Sequence, residues 1–490
     1  MRQSGILLHI TSLPGPEGIG TLGDSALSFI DFLADSGCGI WQMLPVGPTG
    51  YGNSPYQSPC CFAGDPLLID LKTLEAQDYL EKGSVRIAPE TCRVDYDAVR
   101  AEKETMLTRA FSYSFEKIRP QVEAFVHSHP WAEPFAQYQA LCEKLGWFYL
   151  WPVSARRYQI DKNSETQRIL DSMADRIQYH EYAQYLFDEQ WKKLKNHAQE
   201  RGILLFGDMP IYVAPGSADV WMHPQFFQLD SALNPTRVAG VPPDYFSADG
   251  QLWGNPLYNW KALRKDNYSW WIQRLMAMAE KFDIVRIDHF IGFANYYSIP
   301  SGAKTARIGK WVNNRGKAFF RVVKKELPSL QIIAEDLGAV NARVRRLLRF
   351  CGYPGMKVLL FGFSGDDTNA HRPCNIGENC VVYTGTHDND TALGWWNRIA
   401  EPERKCAISS LSMQPGADIC DALVRAAFAS PAERAIVPIQ DLLCLGNEAR
   451  MNTPGTVGGD NWRFRLFSRQ LSETLRARLR LLNRQYHRGK

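Results

Sequence analysis

The sequence has no long hydrophobic run and no block of like charge. No apolar stretch reaches the roughly 18 residues that span a bilayer, so we expect no membrane-spanning helix. The formal net charge is only +4 over 490 residues, and no basic cluster predicts nucleic-acid binding. The N-terminal segment has a short apolar run that polar residues interrupt, which is typical of a first strand and not of a signal peptide.

Regular cysteine spacing is also absent. The 11 cysteines follow neither a disulfide framework nor the paired spacing of a zinc site. The only His-x-His sequence, His127 and His129, lies far from the polar motifs described below, so we expect no bound metal. Together with the lack of an export signal, this pattern predicts reduced thiols and a cytoplasmic protein.

A glycine motif near the N-terminus resembles a dinucleotide-binding sequence but has the wrong context. Gly18, Gly20 and Gly23 match GxGxxG, yet residues 14–17 separate them from the preceding apolar run. In a dinucleotide site the glycines form the tight turn directly after the strand. The motif therefore predicts a structural loop, and we expect no cofactor.

What the sequence does contain is a series of short apolar runs rich in Ile, Leu and Val. Such runs are typical of strands buried on both faces. Helix-like segments separate most of them, and eight strands in this pattern predict a single catalytic parallel (β/α)8 barrel over residues 1–490. An open doubly wound sheet alternates in the same way and is the alternative. The runs are 6–13, 39–47, 203–213, 283–290, 330–338, 355–361, 380–389 and 435–443.

Two gaps between these runs are too long for simple connections. Amphipathic patterns between the second and third runs predict an inserted, mainly helical subdomain at 65–175. A second insertion, 214–282, separates the third and fourth runs. It contains the stretch 240–256, which is rich in Pro, Gly, Tyr and Trp and has no regular period. Long segments of that kind are usually functional, so we expect an active-site loop there.

Four of the runs contain a carboxylate directly after or near the end of their apolar residues: Asp208, Asp288, Glu335 and Asp388. Since the strands of a barrel present their carboxyl ends at one face, these side chains are expected to converge on one pocket. Converging carboxylates can act as acid, base or nucleophile, which predicts an enzyme. Aromatic residues make up 12% of the chain, and those in loops would suit sugar rings, whose C–H faces lie on flat aromatic side chains.

The surroundings of two of these acids predict different protonation states. Arg286 and Asp288 are two residues apart on one strand, so their side chains face the same side, and the guanidinium favours the ionised acid that a nucleophile must be. A purely structural Arg–Asp pair is the alternative. Glu335 follows apolar residues, which raise the pKa of an acid and suit a general acid. With Asp336 it could instead cap the next helix.

Two further stretches offer groups that could contact a ligand. The run 386–390 is densely polar, and in it His387 could orient a hydroxyl while Asp388 accepts hydrogen bonds. Tyr51 and Tyr56 directly follow the second strand, where a ring could stack on a tyrosine. Each of these assignments has an equally simple structural alternative.

These motifs together resemble one family, the 4-α-glucanotransferases known as amylomaltases or disproportionating enzymes, of the α-amylase clan of (β/α)8 enzymes. The resemblance runs in order from residue 5 to about residue 465. One departure is visible, because the family usually continues RIDHF with Arg-Gly and this chain has Ile291-Gly292. The matching segments are 7–23, GYGNSPYQ at 50–57, GDMPIYV at 207–213, RIDHF at 286–290, AEDLG at 334–338, THDNDT at 386–391 and 451–465.

The resemblance implies roles for particular residues. It makes Asp288 the nucleophile, Glu335 the general acid/base and Asp388 the transition-state stabiliser. It places Asp208, Arg286 and His387 at the cleavage subsite, and it makes four residues contacts along the glucan groove: Ser54, Tyr56, Trp253 and Asn461. In the loop 240–256, Tyr245 is expected, with Trp253, to hold the acceptor sugar and exclude water.

The reaction implied by the resemblance retains the configuration at the anomeric carbon. A segment of a maltooligosaccharide or linear α-1,4-glucan would pass through a covalent glucosyl-enzyme to the 4-hydroxyl of an acceptor glucose or glucan. An α-glucan hydrolase with the same carboxylates is the alternative, and the presence of Asp288 and Glu335 argues against a non-catalytic glucan-binding protein. The sequence predicts no oligomeric state.

Overall fold

The structure, a computed structural model, describes residues 2–146, 164–243 and 247–489. These residues form two β-sheets. The strands are β1 Gln3–Leu7, β2 Ile40–Gln42, β3 Leu204–Met209, β4 Arg237–Val241, β5 Gln251–Pro256, β6 Ile284–Ile287, β7 Asn295–Pro300, β8 Lys310–Asn313, β9 Gln331–Ala334, β10 Gly355–Val358, β11 Cys380–Tyr383 and β12 Arg434–Pro438.

The larger sheet is a parallel barrel of eight strands, in the order β10-β11-β12-β1-β2-β3-β6-β9. Its two ends meet where the main-chain N–H of Ala334 donates to the carbonyl oxygen of Pro354 over 2.9 Å. Each of the eight strands overlaps one of the apolar runs seen in the sequence. The predicted (β/α)8 barrel is therefore confirmed, and the open doubly wound sheet is excluded.

Helices surround the barrel, and the apolar strands are buried beneath them. All four residues of β6 are buried, as expected for a strand covered on both faces. No helix among the described residues is long and apolar enough to cross a membrane. The helices are α1 Asp24–Asp35, α2 Leu71–Ala76, α3 Tyr96–Ser128, α4 Ala132–Leu145, α5 Ser164–Asp171, α6 Ala174–Glu200, α7 Ala218–Met222, α8 Trp260–Lys265, α9 Ser269–Lys281, α10 Gly316–Glu326, α11 Ala342–Cys351, α12 Ala392–Arg398, α13 Glu401–Ser410, α14 Ile419–Ala429, α15 Ile439–Leu442 and α16 Glu473–Gln485.

The connection between β2 and β3 contains the helices α2 to α6. The long helices α3 and α6 pack together through an aromatic cluster in which Phe111 and Phe115 contact the ring of Tyr182 edge-on. The C-terminal part of α6 then contacts α1 and α9, which lie against the barrel. The bounds 65–175 for a separate subdomain remain a prediction, as does the single-domain assignment of 1–490.

The smaller sheet is antiparallel, in the order β5-β4-β7-β8, and lies beside the carboxyl ends of the barrel strands. It corrects one expectation from the sequence. The stretch 240–256 was expected to lack regular structure, yet its ends belong to β4 and β5, which pair with a bulge between Val238 and Gly240. The bulge and the glycines obscure the alternation that marks a strand.

Candidate active site

The acids predicted to converge do so at the carboxyl ends of the barrel strands. Asp208 lies on β3 and is paired in register with Arg286 on β6. Asp288 and Glu335 directly follow β6 and β9, which pair through Ile287 and Ala334. Because neighbouring parallel strands end at the same level, the acids that follow them face one cleft.

Arg286 lies between two carboxylates of different exposure. Its Nη2 donates to Oδ1 of Asp288 over 2.7 Å, and its Nη1 pairs with Oδ2 of Asp208. The side chain of Asp208 is 0% exposed and that of Asp288 is 29% exposed. Burial disfavours the charged guanidinium, but the charges of Asp208 and Asp288 outweigh it and raise the pKa of Arg286 well above its usual value. Asp208 thus anchors the arginine, while Asp288 can reach a ligand.

Glu335 is buried and held by the main chain. Its Oε2 accepts a hydrogen bond of 2.6 Å from the amide of His289, and its Oε1 accepts one of 2.7 Å from the amide of Leu337. Burial, helped by the charge of Asp288, raises the pKa of Glu335 to about 8, although both amide bonds and Arg286 oppose the shift. The carboxyl group is therefore protonated at neutral pH.

The alternative interpretation of Glu335 and Asp336 as a helix cap is wrong. The next helix, α11, begins at Ala342 and is capped by Asn341, whose Oδ1 accepts from the amides of Arg343 and Val344. The carboxylate of Asp336 instead accepts a 2.8 Å hydrogen bond from the amide of Met356 on β10.

The turn after β6 places the His289 amide against Glu335. His289 has φ of 50°, a left-handed conformation that is uncommon for a residue other than glycine. Its imidazole is buried, which lowers its pKa to about 4, and meets the ring of Trp253 edge-on with 4.8 Å between centroids. Ile291 is also buried in this turn.

Asp388 is the most open of the candidate catalytic acids, with 44% of its side chain exposed. Its Oδ1 accepts a 2.6 Å hydrogen bond from Nδ2 of Asn452 and lies 3.3 Å from Nε2 of His387. Arg450 donates to the main-chain carbonyl of Asp388 over 2.6 Å and pairs with Asp390. The carboxylate is thus oriented from one side while the rest of it faces the cleft.

Tyr56 connects the buried part of this network to the cleft wall. Its hydroxyl donates to Oδ2 of Asp208 over 2.7 Å and lies 2.9 Å from Nε2 of His387. The rings of Tyr56 and His387 stack with 5.3 Å between centroids, and Trp462 tilts against both. These rings form a flat wall of the kind on which a sugar ring can lie.

These side chains surround a cleft of about 2680 Å³. Its lining includes residues of the barrel, of the smaller sheet and of helices α3 and α6, so the cleft extends across all three. The residues singled out in the sequence that line it are Ser54, Tyr56, Trp253, Arg286, Asp288, Glu335, His387 and Asp388.

Two of the predicted binding residues, Asp208 and Asn461, are placed differently. Asp208 is buried beneath the cleft and acts on it through Arg286 and Tyr56. Asn461 is buried and fixes the neighbouring loop, because its Oδ1 accepts from the amide of Thr453 and its Nδ2 donates to the hydroxyl of Thr456. Tyr245 lies outside the described residues. Direct glucan contacts of these residues remain predictions.

Several residues that support the site were not found from the sequence. Three such residues, Arg450, Asn452 and Trp462, lie 60 or more residues from the acids and aromatics that they contact. Asn452 and Asp388, for example, are separated by 64 residues. Met356 accepts a weak 3.4 Å hydrogen bond from Nε of Arg286. No spacing rule links such distant positions, and the only signal was that 451–465 belongs to the segments matching the related family.

One group of possible metal ligands lies away from this cleft. Within the described parts of the chain, Asp418, Cys420 and Cys444 bring their ligand atoms within 4.8 Å of one another. None of them lines the cleft. Sequence spacing did not reveal this group, since Cys444 follows Cys420 by 24 residues and joins it only in the fold.

The known proteins that this chain resembles match it over nearly its whole length. Residues 8–470 match the family described as 4-alpha-glucanotransferase. The 4-alpha-glucanotransferase of Streptococcus pneumoniae is 43% identical over 480 residues, covering 96% of this chain and 94% of that protein. That of Thermus thermophilus is 43% identical over 500 residues, covering 98% of each. A solved structure, amylomaltase from Streptococcus agalactiae in complex with acarbose, is 36% identical, covers 100% of both chains and has a TM-score of 0.96.

Proposed function

The chain belongs to the 4-alpha-glucanotransferase family, and from this premise we propose that Asp288, Glu335 and Asp388 are its catalytic residues. The enzyme is a glycosyltransferase that transfers a segment of a 1,4-α-glucan to an acceptor, and the hydrolase alternative is not favoured. The observation that carries the residue assignment is geometric: an accessible Asp288, held by Arg286, lies beside a buried Glu335 that two main-chain amides hold in place.

In the first step, Asp288 attacks the anomeric carbon of the donor. Arg286 fixes the position of the Asp288 carboxylate through the 2.7 Å hydrogen bond. Glu335, whose pKa is raised to about 8, gives its proton to the departing glycosidic oxygen. The glycosidic bond breaks, an ester forms between Asp288 and the glucan segment, and Glu335 is left as a carboxylate.

In the second step, Glu335 acts as the base. The negative charge of Asp288 is lost when the ester forms, which removes one of the causes that raise the pKa of Glu335. Glu335 can then take the proton of an acceptor 4-hydroxyl as the oxygen attacks the anomeric carbon. The ester breaks, Asp288 is again a carboxylate, and a new α-1,4 bond has formed. Neither step requires a cofactor.

The remaining groups act on charge and position. Positive charge develops on the sugar ring in both transition states, and the exposed carboxylate of Asp388 can stabilise it. His387 and Tyr56 provide a stacked wall with polar atoms, which suits a sugar bound next to the reacting bond. Trp253, on β5, can cover the acceptor side and exclude water from the ester.

Incubation with purified maltotriose tests this function. A transferase redistributes chain lengths and makes glucose together with longer oligosaccharides, while the total number of reducing ends stays constant. A hydrolase raises the number of reducing ends without forming longer chains. The Asp288→Asn variant is the control, since it keeps the shape of the site without the nucleophile. If the wild-type enzyme leaves the distribution of chain lengths unchanged, the proposal is contradicted.

Glucose as an acceptor and a cytoplasmic location also belong to the proposal.

A further inference from the structure

Two large apolar side chains are unusually exposed on the smaller sheet. Leu252 on β5 and Trp311 on β8 are each 40% exposed, and both line the same cleft as the catalytic acids. β5 and β8 are the opposite edges of this four-stranded sheet. Exposed apolar groups at a cleft wall usually mark a binding surface.

The strand pairing places these residues in one transverse row. Leu252 pairs with Gly240, Gly240 pairs with Tyr297, and Tyr297 pairs with Trp311. Directly paired residues of antiparallel strands project from the same face. The row crosses three inter-strand spacings of about 4.8 Å, or about 14 Å in all. We call Leu252, Gly240, Tyr297 and Trp311 the sheet row.

The indole of Trp311, at one end of the sheet row, is supported by a buried tyrosine. The rings of Tyr297 and Trp311 meet edge-on with 5.3 Å between centroids, and Tyr297 is buried with its hydroxyl donating to the carbonyl of Ala306 over 3.0 Å. Tyr297 therefore fixes the indole from one side while the other part of Trp311 stays accessible. At Gly240 the row has no side chain of its own, and a Cβ there would lie 2.6 Å from Cδ1 of Ile299.

We propose that the sheet row is a remote subsite for α-1,4-glucan, with a glucose ring of a long chain lying on Trp311 while the reacting bond is at Asp288. This inference rests on the proposed function. A half-exposed indole suits this ligand because the C–H face of a glucose ring covers apolar surface while its hydroxyls remain in water. Continuity of the row with the catalytic cleft favours a glucan chain over any other occupant.

The test is the dependence of the reaction on chain length in the Trp311→Ala variant. A subsite remote from Asp288 makes the rate depend on chain length, because maltoheptaose can extend further along the cleft than maltotriose. We expect the ratio of kcat/KM for maltoheptaose to that for maltotriose to fall about three- to tenfold in the variant. Trp311→Phe should restore part of the ratio. Tyr113→Ala is the matched control, since Tyr113 is 48% exposed and does not line the cleft.

The outcomes separate this inference from the function on which it rests. An unchanged ratio in Trp311→Ala, or an equal fall in Tyr113→Ala, would overturn the sheet row as a subsite. A change in oligomeric state by size-exclusion chromatography without a change in the ratio would assign the row to a subunit contact. Failure of the wild-type enzyme to redistribute maltotriose would instead overturn the proposed function. Thermal unfolding of each variant checks that it is folded.

Discussion

The main-chain amide of His289 donates a 2.6 Å hydrogen bond to the carboxyl group of Glu335. Two main-chain bonds reinforce it, since the amide of Glu335 donates to Ile287 over 3.1 Å and the amide of Phe290 donates to the carbonyl of Glu335 over 3.0 Å. The end of β6 and the end of β9 are thereby joined. Main-chain hydrogen bonds therefore hold Glu335 in a fixed position relative to Asp288. A fixed position favours catalysis, because the site needs less reorganisation during the reaction.

The first prediction concerns pH and rate. Because Glu335 must be protonated to act as the acid and its pKa is about 8, kcat/KM for maltodextrins should fall about tenfold per pH unit above that value. The measurement is the pH profile of transfer between pH 5 and 10. A donor such as α-maltosyl fluoride needs no protonation of its leaving group, so its first step should lack this alkaline limb. If the rate falls above pH 8 with both donors, a group other than Glu335 causes the fall.

The second prediction concerns pH and stability. The pKa of Glu335 is raised from 4.5 to about 8 on folding, so between these pH values the folded protein holds a proton that the unfolded chain has lost. The stability of the wild-type protein therefore falls as pH rises through this window. Glu335→Gln does not titrate, so the Tm of this variant minus that of the wild type should be higher at pH 8.5 than at pH 5, by about 2 °C or more.

Thermal unfolding at both pH values, compared with the Asp288→Asn variant at the same pH, isolates this effect. An advantage of Glu335→Gln that is the same at pH 5 and pH 8.5 would contradict the raised pKa.

The third prediction concerns Asn452, which orients Asp388 through the 2.6 Å hydrogen bond from its Nδ2. Hydrogen bonds to charged groups contribute about 1.5–3 kcal/mol, so Asn452→Ala should lower kcat by about ten- to a hundredfold. KM should change little, because the bond positions a carboxylate that stabilises the transition state and not the bound ground state. A matched control is Asn461→Ala, which loosens the neighbouring loop without removing a partner of Asp388. Equal effects of the two substitutions would indicate loop support alone.

The fourth prediction concerns Trp253. Its indole contacts His289 beside the catalytic acids, and its Nε1 donates to Gln251 over 3.1 Å. If the indole holds the acceptor sugar and excludes water, Trp253→Ala should raise the ratio of hydrolysis to transfer by tenfold or less, since one stacking contact is worth about 1 kcal/mol. The ratio is measured on maltotetraose. An unchanged ratio with lower total activity would mean that Trp253 only packs the edge strand against the barrel.

The barrel was predictable because its strands are buried on both faces. That environment leaves a local signal, and the unbroken apolar residues of β11, Cys380–Tyr383, show it. The acids could be identified for a related reason, since Asp288 and Glu335 each stop an apolar run. What could not be predicted locally is the smaller sheet, where Gly240 and the bulge beside it hide the strand pattern.

The side chains of the site are held in position by residues that lie far from them in the sequence. The pairing of Asn452 with Asp388 and of Tyr56 with Asp208 depends on how loops from different strands meet above the barrel. Such contacts have no period in the sequence. The buried state of Asp208, which makes it an anchor for Arg286 and not a surface ligand, likewise follows from the packed interior and not from its position at a strand end.

The most direct test of the account is the identity of the residue that becomes covalently modified. In the Glu335→Gln variant, α-maltosyl fluoride should still react, because fluoride leaves without a proton, whereas the second step should be slow without a base. Mass spectrometry of the intact protein should then show one added maltosyl group, and peptide mapping should place it on Asp288. A maltosyl group on any other residue, such as Asp388, or turnover without a covalent adduct, would contradict Asp288 as the nucleophile.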